Sequence, residues 1–128
     1  IISSGMNLKA WVINIKENQL DFNNLDLNND AIFAMNCYYE NLISYVFQHF
    51  SRKFNEVKSQ FDSPIPIVVA GGTSMPSGFG KKIKSVISTL DLPFEIKEIK
   101  RAASPRNAVV TGCLIQAILT QKKLIAGP

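Results

Sequence analysis

The chain has 128 residues, of which 46% are hydrophobic and 19% are charged. This composition provides enough apolar side chains for a folded core and excludes a disordered or collagen-like chain. The formal net charge is +4, but the lysines and arginines occur in short groups without interleaved aromatic residues, so no nucleic-acid partner is predicted. No uncharged apolar run reaches about 18 residues, so no membrane partner is predicted either.

Cysteine and histidine usage argues against metal and redox chemistry. Cys37 and Cys113 are far apart and form no CxxC pair, which is typical of a reduced, cytoplasmic protein. His49 has no second ligand nearby in the sequence, so no metal site is predicted. No GxSxG or HExxH motif is present, and no catalytic residue is assigned. The chain starts at Ile1 without Met, so we expect a single domain, residues 1–128, of a longer protein.

The first half of the chain predicts a hairpin and then a long helix. Residues 8–15 are rich in β-branched and aromatic side chains, and Leu20 and Phe22 alternate with polar neighbours. This pattern favours strands at about 7–15 and 19–23. Asn29 or Asp30 can cap a following helix. Apolar residues then recur at steps of three and four from Ile32 to Phe61, which predicts one amphipathic helix.

The second half predicts a βαβ unit and a final helix. Residues 65–70 form an uninterrupted apolar run, as in a parallel strand buried on both faces. A helix at 79–90 and a strand at 94–99 follow. Ser104-Pro105 predicts the start of a last helix, which is apolar nearly all round to Leu119 and therefore expected to be deeply packed. The predicted order is ββ-α-β-α-β-α, an α/β fold with helices on both faces of a mixed sheet.

The sequence predicts a ligand-binding site at the turn that follows the buried strand. Open α/β sheets bind ligands at the carboxyl ends of their strands. Gly71 and Gly72 remove side chains there, so that a flat or anionic ligand can reach the backbone. Thr73 and Ser74 add hydroxyl groups, and the next helix adds free N–H groups. The residues match neither a P-loop nor GxGxxG, and Gly-Gly alone also fits a purely structural turn.

The sequence that surrounds this turn resembles a known motif. Residues 67–79 read as an apolar strand, Gly71-Gly72-Thr73, then Pro76-Ser77-Gly78 opening a helix. This resembles the adenosine motif of the actin-like ATPase superfamily, which includes actin, bacterial actins and the large heat-shock chaperones. Here one extra residue separates Pro from Gly. Residues 101–113 resemble the family's last strand-to-helix passage, and the likeness covers about residues 30–120.

The resemblance implies a fold and a ligand. The chain would be the second, C-terminal lobe of the actin-like fold, a ribonuclease-H-like lobe with an N-terminal hairpin. ATP or ADP with Mg²⁺ would lie between this lobe and a missing N-terminal lobe, and a homo-oligomer or filament is a further implied partner. The implied cofactor-binding residues are Gly71, Gly72, Thr73, Ser74 and Met75. Ser3-Ser4-Gly5-Met6 resembles the end of a phosphate-binding hairpin whose Asp would fall at or before Ile1.

Two functions stay open at this point. The chain is either the adenosine-binding lobe of an actin-like or chaperone-like ATPase, not catalytic by itself, or a degenerate actin-fold module that serves as an assembly or interaction platform. The intact Gly-Gly-Thr-Ser favours the ATPase. Ser3 in place of the expected Gly, and the extra residue before Gly78, favour the platform. An unrelated small α/β ligand-binding domain is a weaker third alternative.

Overall fold

Helices make up most of the structure, a computed structural model that describes residues 7–56, 61 and 63–127. The elements in chain order are α1 (Leu8–Asn14), a π-helical turn (Ile15–Gln19), α2 (Asp30–Glu56), β1 (Ile65–Val69), a 3₁₀ turn (Gly72–Ser74), α3 (Phe79–Ile87), β2 (Ile96–Arg101) and α4 (Ala108–Ala126). The predicted residues Ser3–Met6, and the end of the predicted long helix at 57–60, lie outside the described residues.

The predicted βαβ unit is confirmed. β1 pairs with β2 in parallel, with Ile67 opposite Ile99, and α3 connects the two strands. α2 and α3 pack together on one face of this sheet, where their buried residues are Ile43, Phe47, Ile83 and Val86. The carboxyl ends of both strands therefore lie at the same sheet edge, next to the 3₁₀ turn.

The predicted fold class is wrong. The described residues form a sheet of two parallel strands, β1 and β2, rather than the mixed sheet of a ribonuclease-H-like lobe. Among the described residues no helix covers its second face, since Pro66 is exposed and Val68 is 66% exposed. The apolar run of β1 predicted burial on both faces, but only the Ile65, Ile67 and Val69 side contacts helices.

The predicted N-terminal hairpin is also wrong, because residues 8–19 are helical. The Asn7 side chain caps α1 by accepting a hydrogen bond from the Ala10 amide at 3.1 Å. Ile15 and Leu20 are buried in a second core cluster with Ile32 and Tyr39 of α2. Burial against α2 thus outweighs the weak local strand preference of the β-branched residues.

The long helix α2 begins where the sequence predicted. The Asn29 side-chain oxygen accepts hydrogen bonds from the amides of Ala31 and Ile32, at 3.0 and 3.2 Å. These bonds satisfy two amides of the first turn that have no partner within the helix. The cap therefore fixes the start of the helix that carries both core clusters.

A loop that follows the π-helical turn packs against the start of α3. The Phe22 amide donates to the Ser77 carbonyl at 2.8 Å, and the Asn23 side-chain amide donates to the Ser77 hydroxyl at 3.0 Å. Gly78 has φ +72°, and a Cβ there would lie 2.9 Å from Asn23. Only glycine allows this left-handed conformation and this close approach together.

The last helix differs most from expectation. α4 begins at Ala108 rather than at Pro105, and none of its residues is buried, so the predicted deep packing is wrong. Val109, Leu124 and Ile125 are each more than 70% exposed. Among the described residues, α4 is the one helix with the length and composition to cross a membrane. Length and composition alone assign the helix to no location, so the absence of a membrane partner stays a prediction.

Candidate functional site: the groove at Gly72 and Thr73

The turn after β1 is held by backbone hydrogen bonds. Gly71 has φ +84°, a conformation that favours glycine. Its amide donates to the Pro105 carbonyl at 2.8 Å, which ties the turn to the segment before α4. Its carbonyl accepts from the Ser74 amide at 3.1 Å and from the Ser74 hydroxyl at 2.8 Å. The turn is therefore a defined structure at the sheet edge.

The outer side of this turn is bare. A Cβ added at Gly71 or Gly72 would meet no atom within 4 Å. No neighbouring side chain among the described residues fills the space next to these two positions. The corner predicted from the sequence is thus open, and a ligand can approach the main chain there.

A groove of about 990 Å³ runs along this turn. Its volume lies at the upper end of the range of roughly 300–1,000 Å³ that small-molecule sites occupy. The residues that line it come from α1, the π-helical turn, the 3₁₀ turn and the segment before α4: Leu8, Lys9, Val12, Ile13, Lys16, Glu17, Gly72, Thr73 and Arg106. The lining therefore combines apolar and charged side chains with the bare backbone of Gly72.

The charge of the groove is positive. Lys9, Lys16 and Arg106 line it, and Glu17 is the carboxylate among its described lining residues. An Nη2 nitrogen of Arg106 lies 2.6 Å from Oε1 of Glu17, and this ion pair joins the π-helical turn to the segment before α4. Three cations against one carboxylate attract an anionic ligand.

The five predicted cofactor-binding residues divide between groove and support. Gly72 and Thr73 line the groove, and Gly71 shapes the turn beside them. Ser74 is 1% exposed and its hydroxyl donates to Gly71, so this group stabilises the turn. The Met75 carbonyl accepts a hydrogen bond from Arg101 at 3.0 Å. Ser74 and Met75 are not among the residues that line the groove.

The sequence reasoning missed Lys9, Lys16, Glu17 and Arg106. The hairpin prediction placed Lys9 on the first strand and Lys16 and Glu17 in the connection between the two strands, away from Gly71 and Gly72. A usable signal was present, because Leu8, Val12 and Ile15 recur at helical steps behind the cap residue Asn7. No comparable signal brings Arg106 to the groove, since its position depends on the contact between Gly71 and Pro105.

A metal ion is not supported by the groove. Mg²⁺ prefers carboxylate and other oxygen ligands, whereas Glu17 is already paired with Arg106. Within residues 7–56, 61 and 63–127, no group of three or more His, Cys, Asp or Glu side chains could hold a metal ion. The Mg²⁺ implied by the resemblance therefore has no matching ligand set among the described residues of the groove.

The fold and the groove define a helix-rich α/β protein with an open, cationic site at a βα turn. A family model described as Volactin matches residues 3–117, which is most of the sequence. The chain therefore belongs to the Volactin family. Neither the curated proteins nor the solved structures contain a match to it.

Proposed function

We propose that the chain binds the adenosine side of ATP or ADP and contributes one wall of the nucleotide site of an actin-like ATPase. The observation that carries this proposal is the groove, which the bare backbone of Gly72 lines together with Lys9, Lys16 and Arg106. The resemblance of residues 67–79 to the adenosine motif supports the same ligand. The missing N-terminal lobe, a homo-oligomer or filament, and a cytoplasmic location belong to this proposal as well.

Each part of the groove suits one part of a nucleotide. Leu8, Val12 and Ile13 give an apolar surface for the flat base, and Gly72 lets the base or ribose touch main chain. Glu17, whose Oε1 pairs with Arg106, keeps lone pairs that can accept a hydrogen bond from a ribose hydroxyl. Lys9, Lys16 and Arg106 can donate to phosphate oxygens.

Hydrolysis is not assigned to this chain by itself. Phosphoryl transfer requires charge stabilisation around the γ-phosphate and a residue that positions the nucleophile. Glu17 is engaged by Arg106, and none of the other described lining residues carries a carboxylate for that role. The chain alone is therefore expected to bind nucleotide without turnover.

The second candidate function is an assembly or interaction platform that uses no nucleotide. The exposed apolar helix α4 favours it, because large exposed apolar surfaces mark interaction sites. The two functions differ in one measurement. Saturable binding of ADP or ATP would support the nucleotide site. If neither binds at millimolar concentration, the nucleotide site is wrong and the interaction platform is the remaining candidate function.

Calorimetry, together with fluorescence of the sole tryptophan, Trp11 on α1, measures this binding. Lys16→Ala should weaken ADP binding about 3- to 10-fold, because an ion pair from a half-buried lysine to a phosphate contributes about 1 kcal/mol. The matched control is Lys84→Ala, an exposed lysine on α3 that does not line the groove. Equal affinities of the two variants would argue against phosphate contact at Lys16.

A further inference from the structure

Tyr39 of α2 reaches the nucleotide turn from inside the protein. Its side chain is fully buried, at 0% exposure. The ring packs edge-on against Phe22 and Phe79, with ring centroids 5.1 and 5.6 Å apart. The hydroxyl donates a hydrogen bond of 2.8 Å to the carbonyl of Thr73. This long-range bond connects α2 to the middle of the turn that lines the groove.

The Thr73 carbonyl is a different acceptor from those that close the turn locally. The Ser74 amide donates to Gly71 and the Met75 amide donates to Gly72, so these two bonds use the preceding carbonyls. Tyr39 therefore adds a restraint that the turn does not supply itself. Burial raises the pKa of the Tyr39 hydroxyl above its usual range, so the group stays protonated and remains a donor.

The next residue of α2 anchors the other side of the same segment. Glu40 pairs with Lys82 of α3, one helical turn into the helix that follows the nucleotide turn. Tyr39 thus holds the segment before α3, and Glu40 holds α3 itself. The two adjacent residues allow the restraint on the turn to be separated from the general packing of α2 on α3.

We propose that Tyr39 is a positioning residue for the groove: its hydroxyl fixes the Thr73 carbonyl and thereby sets where the backbone of Gly72 and Thr73 faces the ligand. The effect of Tyr39 on ligand binding rests on the proposed nucleotide site. Its effect on the turn concerns the protein alone and is measurable without ligand.

The test compares Tyr39→Phe with Glu40→Gln. Phenylalanine keeps the ring among Phe22 and Phe79 and removes only the hydroxyl, so Thr73 loses its donor. In Tyr39→Phe, amide hydrogen exchange of Ser74 and Met75, followed by NMR without ligand, should accelerate about 3- to 10-fold, as expected for one lost hydrogen bond. ADP affinity should fall by a similar factor. In Glu40→Gln, any faster exchange should be shared with the core amides of α2 and α3, as for a general loss of stability, and the ADP affinity should stay unchanged.

The possible results test the positioning role of Tyr39 and its effect on ligand binding separately. Unchanged exchange at Ser74 and Met75 in Tyr39→Phe would overturn the positioning role, whatever happens to ligand affinity. Faster exchange with unchanged ADP affinity would overturn the link between the turn and the groove. Faster exchange in a protein whose wild type binds no nucleotide would support the positioning role and sink the proposed function instead.

Discussion

Gly72→Val should abolish detectable nucleotide binding while the protein stays folded. A Cβ at Gly72 meets no protein atom within 4 Å and Gly72 lacks the positive φ of Gly71, so the added Cβ makes no internal clash and no backbone strain is expected. The new side chain instead enters the groove, in the space proposed for the nucleoside. We expect a loss of affinity well above about tenfold, which corresponds to about 1.4 kcal/mol. Calorimetric titration of ADP measures it, with thermal unfolding as the check on folding.

The identical substitution at Gly112 is the matched control. Gly112 lies within α4, a Cβ added there would also meet no atom within 4 Å, and the position is not among the residues that line the groove. Gly112→Val should retain ADP affinity. Gly71→Val would be a poor choice, because its φ of +84° makes any side chain strained and mixes folding with binding. Full affinity in a folded Gly72→Val variant would place the ligand elsewhere.

The elements that the sequence predicted well are those whose local pattern and tertiary packing agree. Ile65 to Ala70 reads as a strand, and Ile83 and Val86 mark the buried face of α3. Asn29 caps α2 because its side chain acts within its own first turn. Each of these signals is contained in a short stretch of chain, so no distant contact is needed to interpret it.

The hairpin prediction was wrong because the local sequence pattern of this segment and its tertiary packing disagree. Trp11, Val12 and Ile13 have strand preferences, yet Ile15 is 1% exposed only because α2 covers it. That error carried over to the site, because Lys9, Lys16 and Glu17 reach the groove only when residues 8–19 are helical. Site residues from separate elements meet through tertiary packing, which hydrophobic periodicity does not encode.

The predicted burial of the last helix was wrong for another reason. Its apolar residues were interpreted as core because a helix that is apolar all round is usually buried. α4 has no such cover among the described residues, so the periodicity correctly gave the element but not its surroundings. The exposed second face of the β1–β2 sheet is the same kind of error, since parallel sheets normally carry helices on both faces.

Substituting Glu40 and substituting Lys82 should destabilise the protein by different amounts, although both changes break the same ion pair. Lys82 Nζ lies 2.5 Å from Glu40 Oε1, and the Lys82 side chain is 11% exposed while that of Glu40 is 47% exposed. Glu40→Gln leaves a nearly buried ammonium without its counter-charge and should cost about 1–2 kcal/mol, a value reduced for the partial exposure of Glu40. Lys82→Met keeps the apolar stem and leaves a carboxylate that water can solvate, so it should cost less than about 1 kcal/mol. Urea unfolding at pH 7 measures both.

The same pair predicts how stability changes with pH. The hydrogen bond from Lys82, with its charge, lowers the pKa of Glu40 below its ordinary value of 4.5, against the opposing effect of burial. The folded protein therefore binds this proton more weakly than the unfolded chain. The contribution of the pair is complete above about pH 4.5 and is lost as the pH falls through the lower, folded-state pKa. The difference in unfolding free energy between wild type and Lys82→Met should accordingly shrink between pH 5 and about pH 3, and a constant difference over that interval would mean that Glu40 does not stabilise the fold through Lys82.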